Sequence, residues 1–399
     1  MIAFILSVVL CTCSVWNTWL KWQERPVMVS FNDRTTSIGM VPFPAVTICP
    51  THIYDKDDVN ITHLANVYMR NSNLEKENLT NKEKDQLCAL EYMCLHDFVT
   101  IRRANGSPKT EKLFKAIKDI APSGVIRSAD FSQTYARYWE TFTEEGLCYS
   151  FNSLNSWDVY TNDVIPELLT VRFNPNVSHW NMEDGYELSV NESTVYPYRV
   201  FTVSQRDTLH TILHTIVNDK PDLCHKHAQG FRLSLHSPDE VPETSDDYIF
   251  VPIEGEVHIS VKPNMIATSN GLRKYSPEKR GCFFRAERQL RFFKWYSQQK
   301  CEFECLSNFT RDNCGCVKFF MPRDNLTNIC NVKKFLCLNN ATRAYYKMNT
   351  LTQKCNCLPD CNSVSYDVEV SQGQTPFYTQ NENTLVGAID ASLIPAKAK

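Results

Sequence analysis

No charged residue precedes Lys21, so the opening run MIAFILSVVLCTCSVWNTWL is uncharged throughout. It lacks the positive n-region and the small-residue cleavage site of a secretory signal. It has the length of a membrane-spanning helix, and Trp16, Trp19 and Trp22 stand where an interfacial aromatic belt lies. No comparable apolar run occurs later. Glycine is scarce, 12 in 399 residues, which argues against a flexible or collagen-like chain. Basic residues are not in excess: 42 Lys and Arg stand against 45 Asp and Glu, a net charge of −3. Neither a nucleic-acid partner nor a polybasic membrane patch is expected. G-x-S-x-G, H-E-x-x-H, a Walker loop and C-x-x-C are all missing, so no enzyme and no cofactor is expected.

Cysteine is abundant, with 17 residues. Reducing compartments give disulfides no stabilising role, so this number points to an oxidising one. Asn-X-Ser/Thr triplets agree. They begin at Asn60, Asn78, Asn105, Asn176, Asn191, Asn308, Asn325 and Asn340, all beyond residue 50. Asn105 is set apart because Pro108 follows its triplet, leaving seven candidate glycosylation sites.

Along the chain, VPFPAVTICP reads as a strand, and residues 51 to about 130 read as polar and helical. FTEEGLCYSFN returns to a strand. LLTVRF, YRVFTVS, GFRLSLHS, YIFVPI and EVHISVK have the rhythm of an antiparallel sheet. ERQLRFFKWYSQQKCEFEC reads as one long helix, with Leu290, Phe293, Ser297, Cys301 and Cys305 on one face. SYDVEVSQ is a last strand, and the remaining tail shows no packing pattern.

The sixteen residues CEFECLSNFTRDNCGC, from Cys301 to Cys316, hold four cysteines. Cys301 and Cys305 lie four apart on a helix, about 6 Å along its axis. Cys355 and Cys357 lie two apart in an extended segment, about 6.6 Å. The separations match, so an antiparallel apposition bonds Cys301 to Cys357 and Cys305 to Cys355. Cys314 and Cys316 need separate partners, with Cys330 and Cys337 in range. Cys282 and Cys361 bracket the block, and Cys88 and Cys94 would close a small loop. Zinc fits poorly, because its knuckles are usually C-x2-C. His225 and His227 beside Cys224, and the adjacent Glu183 and Asp184, read as solvated turns, so no metal site is expected.

VPFPAVTICP, GLCYSFN, GFRLSLHSPDEVP and the block from Cys282 through CNCLPDCNSVSY together resemble the degenerin and epithelial sodium channel family, most closely its insect pickpocket branch. The resemblance implies an α+β fold: a membrane helix, then a disulfide-rich extracellular domain with a central antiparallel sheet (the palm) and peripheral helical finger and thumb. It implies a trimeric, stimulus-gated, amiloride-sensitive sodium channel in the plasma membrane. The partners it implies are sodium ions, the bilayer, and other copies or related subunits. It also implies the pairs Cys49–Cys148, Cys88–Cys94, Cys282–Cys361, Cys301–Cys357, Cys305–Cys355, Cys314–Cys337 and Cys316–Cys330. Cys11 and Cys13 stay free in the membrane helix.

The expected division is a first membrane helix at 1–20, an extracellular domain at 21–382 with finger about 51–130 and thumb about 283–364, and a tail at 383–399. TLVGAIDASLIPAKAK is too short and polar to span a bilayer, so an ectodomain without pore helix or selectivity filter is expected. Proton-gated relatives pair carboxylates where this chain has Leu223, Cys224, Asn339 and Arg343, so no acid-gated pocket of that kind is expected. The competing reading is a cysteine-rich single-pass or secreted binding protein with no pore role.

Overall fold

The computed structural model describes residues 1–24, 30, 37–54, 59–60, 63–64, 79–93, 110–171, 177–187, 195–202, 207–216, 229–245, 247–253, 255–347, 355–373 and 384–393. The chain begins with helix α1 (Ile2–Glu24). Its stretch Ile2–Gln23 is long and apolar enough to cross a membrane, and none of that face is covered by the rest of the chain. Ser7, Thr12, Ser14 and Thr18 donate back to carbonyls three or four residues earlier, so they need no water. The body opens with β1 (Ala45–Pro50), α2 (Asn81–Met93) and α3 (Thr110–Ile120). In α3 the buried residues Leu113, Phe114, Ile117 and Ile120 recur at helical spacing and form one apolar face.

β2 (Ile126–Phe131) and β3 (Thr134–Tyr135) follow, then the hairpin β4 (Trp139–Thr143) and β5 (Gly146–Phe151). After two short helices, α4 (Ser156–Val159) and α5 (Pro166–Val171), a small hairpin pairs β6 (Trp180–Asn181) with β7 (Gly185–Tyr186). Strands β8 (Thr208–Ile216), β9 (Gly230–His236), β10 (Ile249–Pro252) and β11 (Glu256–Ile266) come next. Then come α6 (Pro277–Arg280), α7 (Gln298–Cys314), β12 (Cys316–Val317), β13 (Asn328–Ile329), α8 (Phe335–Lys347), β14 (Ser363–Gly373) and β15 (Thr384–Leu393).

Two sheets form the centre, where one was expected. The first has the order β10-β9-β1-β5-β4 and is antiparallel throughout. The second has the order β14-β11-β15-β8-β2-β3, antiparallel except between β11 and β15. Phe43, just ahead of β1, and Val46, Ile48, Phe151, Phe231 and Leu233 of the first pack with Phe131, Leu209, Leu213, Val257, Ile259 and Val261 of the second. All six residues of β1 are buried, which explains why its sequence is apolar without alternation. A second core joins α2 and α3 to β4, β5 and the Phe292–Phe293 loop.

Several local readings change. The LLTV of LLTVRF is not a strand: residues 166–171 form α5, opened by Pro166. The expected long helix starts only at Gln298, because the Ser297 hydroxyl accepts from the Lys300 amide and caps it. Ahead of that cap, Phe293 bridges Tyr160 and both rings stack at 5.1 Å. Tyr198 to Thr202 of YRVFTVS form no strand; the Tyr198 carbonyl instead accepts from the Phe43 amide. Residues 384–393 are not a loose tail but strand β15, laddered to both β8 and β11. Its sequence, TLVGAIDASL, mixes Leu, Val and Ile with small and polar residues. Its place comes from main-chain hydrogen bonds that any side chain permits.

Candidate functional site: a charged junction between the sheets and the disulfide-braced helices

α7 is the spine of the cysteine block. It ends at Gly315, whose φ of 73° suits glycine and whose amide donates to the Arg311 carbonyl. Cys301 and Cys305, one turn apart on this helix, bond to Cys357 and Cys355, with Cα separations of 5.7 and 6.2 Å. Cys314–Cys337 ties α7 to α8, and the Tyr345 hydroxyl of α8 donates to the Glu302 carbonyl. Cys316–Cys330 staples β12 to β13, and Cys282–Cys361 closes the block at its base. Cys49–Cys148 joins neighbouring strands β1 and β5.

The start of α7 meets the end of β9. Beyond His236, the Ser237–Glu240 turn brings Asp239 against Lys300, Nζ to Oδ2 at 3.4 Å, both side chains almost fully buried. Asp239 also accepts from the Ser237 hydroxyl at 2.7 Å. Asp360, just before Cys361, accepts from the Gln298 amide at 3.1 Å. A carboxylate there complements the positive end of the helix. Asp360 also bridges Phe283 in a short parallel pairing. Asn362 carries the junction into the second sheet, its Oδ1 accepting from the Thr268 amide. A cavity of about 20 Å³ lies among Glu183, Asp239, Glu240, Arg285, Tyr296 and Asp360, room for roughly one water.

The three carboxyls differ in acidity. Burial works against the charge on Asp239, but Lys300, Arg285 and Ser237 outweigh it and hold this carboxyl below its ordinary range. Burial pushes half-buried Glu240 up to about 8, with Asp239 and Asp360 adding to the rise against Lys300. Asp360 rises to about 6, again mainly through burial, although the Gln298 amide and Lys300 oppose it. Glu240 and Asp360 therefore favour folding in their protonated forms. That contribution is fully present below their unfolded pKa values and is lost as pH rises through about 6 for Asp360 and about 8 for Glu240. Thermal unfolding followed from pH 6 to 9 should show stability falling. Glu240→Gln should flatten the fall, by up to about 1.4 kcal/mol per pH unit while the group titrates. An unchanged slope in that variant would exclude Glu240 as its source.

The sequence reading missed this cluster. It looked for paired carboxylates at Leu223 and Cys224, which lie outside the described residues together with His225 and His227, and at Asn339 and Arg343, which lie on α8. Glu240 and Asp360 sit in SPDEVP and LPDC, and only folding joins them. Glu183 is also more than a solvated turn: it accepts from the Arg285 amide at 2.8 Å and from Arg273 at 2.7 Å. Among candidate glycosylation sites, Asn60, Asn325 and Asn340 are exposed and Asn308 is half-buried on α7. Asn78, Asn176 and Asn191 lie outside the described residues, as does Cys94, the expected partner of Cys88 on α2. Cys11 and Cys13 are free on α1. Among the described residues no group of three or more His, Cys, Asp or Glu could hold a metal ion.

An apolar helix long enough to cross a membrane, followed by a two-sheet body with six disulfides, is the make-up of a chain that folds in an oxidising compartment. The profile of one family, described as "Amiloride-sensitive sodium channel", matches residues 1–392. The chain belongs to that family, a family of plasma-membrane channels. Pickpocket protein 28 of Drosophila melanogaster is 26% identical over 401 residues, covering 96% of this chain and 62% of the relative. Pickpocket protein 19 of the same organism is 20% identical over 415 residues, covering 97% and 75%. Sodium channel protein Nach of Drosophila ananassae is 28% identical over 155 residues, covering 39% and 30%. The chain thus spans 62% of the length of the first of these relatives.

Proposed function

We propose that this chain is a subunit of a stimulus-gated, amiloride-sensitive sodium channel, not an enzyme. Its body stands outside the plasma membrane, and α1 is its first membrane helix. The observation that carries this reading is the family match over residues 1–392, which takes in both the apolar helix and the whole cysteine block. In this reading the two sheets act as the palm, residues about 51–130 as the finger and about 283–364 as the thumb. Three subunits, identical or related, surround the sodium path. Asn60, Asn325 and Asn340, exposed on the body, carry glycans.

The junction supplies a route for gating. Asp360, Cys361 and Asn362 link the start of α7 to β14, and the Tyr366 hydroxyl of β14 donates to the Pro42 carbonyl at 3.0 Å. Pro42 lies between α1 and β1, so a displacement of α7 reaches the chain entering from the membrane through packed and hydrogen-bonded groups.

Intact cells expressing the chain, treated with an impermeant amine-reactive label, test the orientation. Labelled, glycosidase-sensitive protein at the surface is expected. Protein recovered entirely in the medium would favour a secreted binding protein, and unlabelled, unglycosylated protein would refute the orientation.

A further inference from the structure

A groove of about 300 Å³ runs beside α7, and Asn308 lines it together with Cys301, Cys305, Asp312, Asn313 and Arg288. Cys301, Cys305, Asn308 and Asp312 recur at intervals of four, three and four residues, which places them on one helical face. That volume is at the lower end of small-molecule sites, about 300–1,000 Å³. Its lining mixes the Arg288 cation, the Asp312 carboxylate and side-chain amides with the rings and methyls of Phe309 and Leu290. Hydrogen-bonding groups beside apolar surface suit a sugar ring, which has hydroxyls on its rim and C–H faces. Asn308 opens the triplet Asn308-Phe309-Thr310. The Thr310 side chain is fully buried, and its hydroxyl donates to the Leu306 carbonyl at 2.7 Å. The hydroxyl that completes the triplet is therefore inaccessible once α7 has formed, so any attachment at Asn308 precedes folding.

We infer that Asn308 carries an N-linked glycan whose first N-acetylglucosamine is seated in this groove and covers the Cys301–Cys357 and Cys305–Cys355 bridges. The bond forms between Asn308 Nδ2 and C1 of the sugar. A lipid diphosphate leaves from the lipid-linked oligosaccharide donor, and the amide proton passes to solvent. The inference rests on the extracellular placement of the body proposed above. It adds that this face of α7 is turned to solvent rather than to another subunit.

The test is glycopeptide mapping of the chain purified from cells, with peptide N-glycosidase release in 18O water from native and from denatured protein. Asn308 should be occupied, and its glycan should be released several-fold more slowly from native than from denatured protein. Asn308→Gln and Thr310→Val each remove the triplet by a different atom. Both should make Cys305–Cys355 several-fold faster to reduce in the folded protein. A bare Asn308 beside occupied Asn325 or Asn340 overturns the inference alone; three bare sites overturn the extracellular placement as well. Equal release from native and denatured protein, or unchanged reduction in both variants, overturns the seat.

Discussion

Losing both the Cys301–Cys357 and Cys305–Cys355 bridges is expected to cost about 5–6 kcal/mol, whereas losing either alone costs about 2. The difference follows from nesting. Cys301 and Cys305 are four positions apart and Cys355 and Cys357 two, so with one rung in place the other closes a loop of only about six residues. With neither present, the first rung to form closes a longer loop running back to Cys282–Cys361, and gains correspondingly more. Denaturant unfolding of the two serine-paired variants and their combination checks this. The combined loss should exceed the sum of the separate ones. Strict additivity, or single losses as large as the double, would show that the rungs do not brace one another.

Lys300→Met is expected to destabilise the protein by about 3–5 kcal/mol, because it strands a buried carboxylate. Asp239 is 6% exposed and Lys300 2%, so water cannot take over the charge. What remains for Asp239 is the Ser237 hydroxyl and the nearby Arg285 charge, and its pKa should climb as the Lys300 charge disappears. Adding Asp239→Asn should recover part of the loss, since removing both charges leaves no uncompensated ion. Thermal unfolding of the single and double variants is the measurement. A loss below about 1 kcal/mol for Lys300→Met would mean the pair behaves as an exposed one.

These two effects also mark what could be read from the sequence. The pairing of Cys301 and Cys305 with Cys357 and Cys355 was legible from spacing, but the extended segment expected at Cys355–Cys357 is not there: no strand covers it and Asn356 has a φ of 50°. Strands β1, β9, β10 and β11 were legible from apolar runs bounded by turn residues. β8 was not, because TLHTILHTI intersperses histidine and threonine among its apolar residues, and β2 was absorbed into a stretch read as helical. β15, TLVGAIDASL, mixes Leu, Val and Ile with small and polar residues and ladders with β8 and β11. The start of α7 was read too early, because ERQLRFFKWY continues the apolar spacing while Ser297 does the capping. Asp239, Glu240, Lys300 and Asp360 were invisible as a group, since about sixty residues separate each neighbouring part of the cluster and nothing local marks their meeting. Bonds fixed by local spacing were readable; charges gathered by tertiary packing were not.

If residues 1–392 work as part of a sodium-channel subunit, as proposed above, they should replace the matching region of a relative without loss of its current. The most direct test replaces the matching region of Pickpocket protein 28, to which 96% of this chain aligns, with residues 1–392 of this chain. Sodium current is then recorded from cells carrying the chimera and from cells carrying the intact host. A sodium-selective current that amiloride blocks is expected, reduced when both rungs at Cys301 and Cys305 are removed. A chimera that reaches the surface glycosylated yet passes no current, beside a host that conducts, would contradict that proposal.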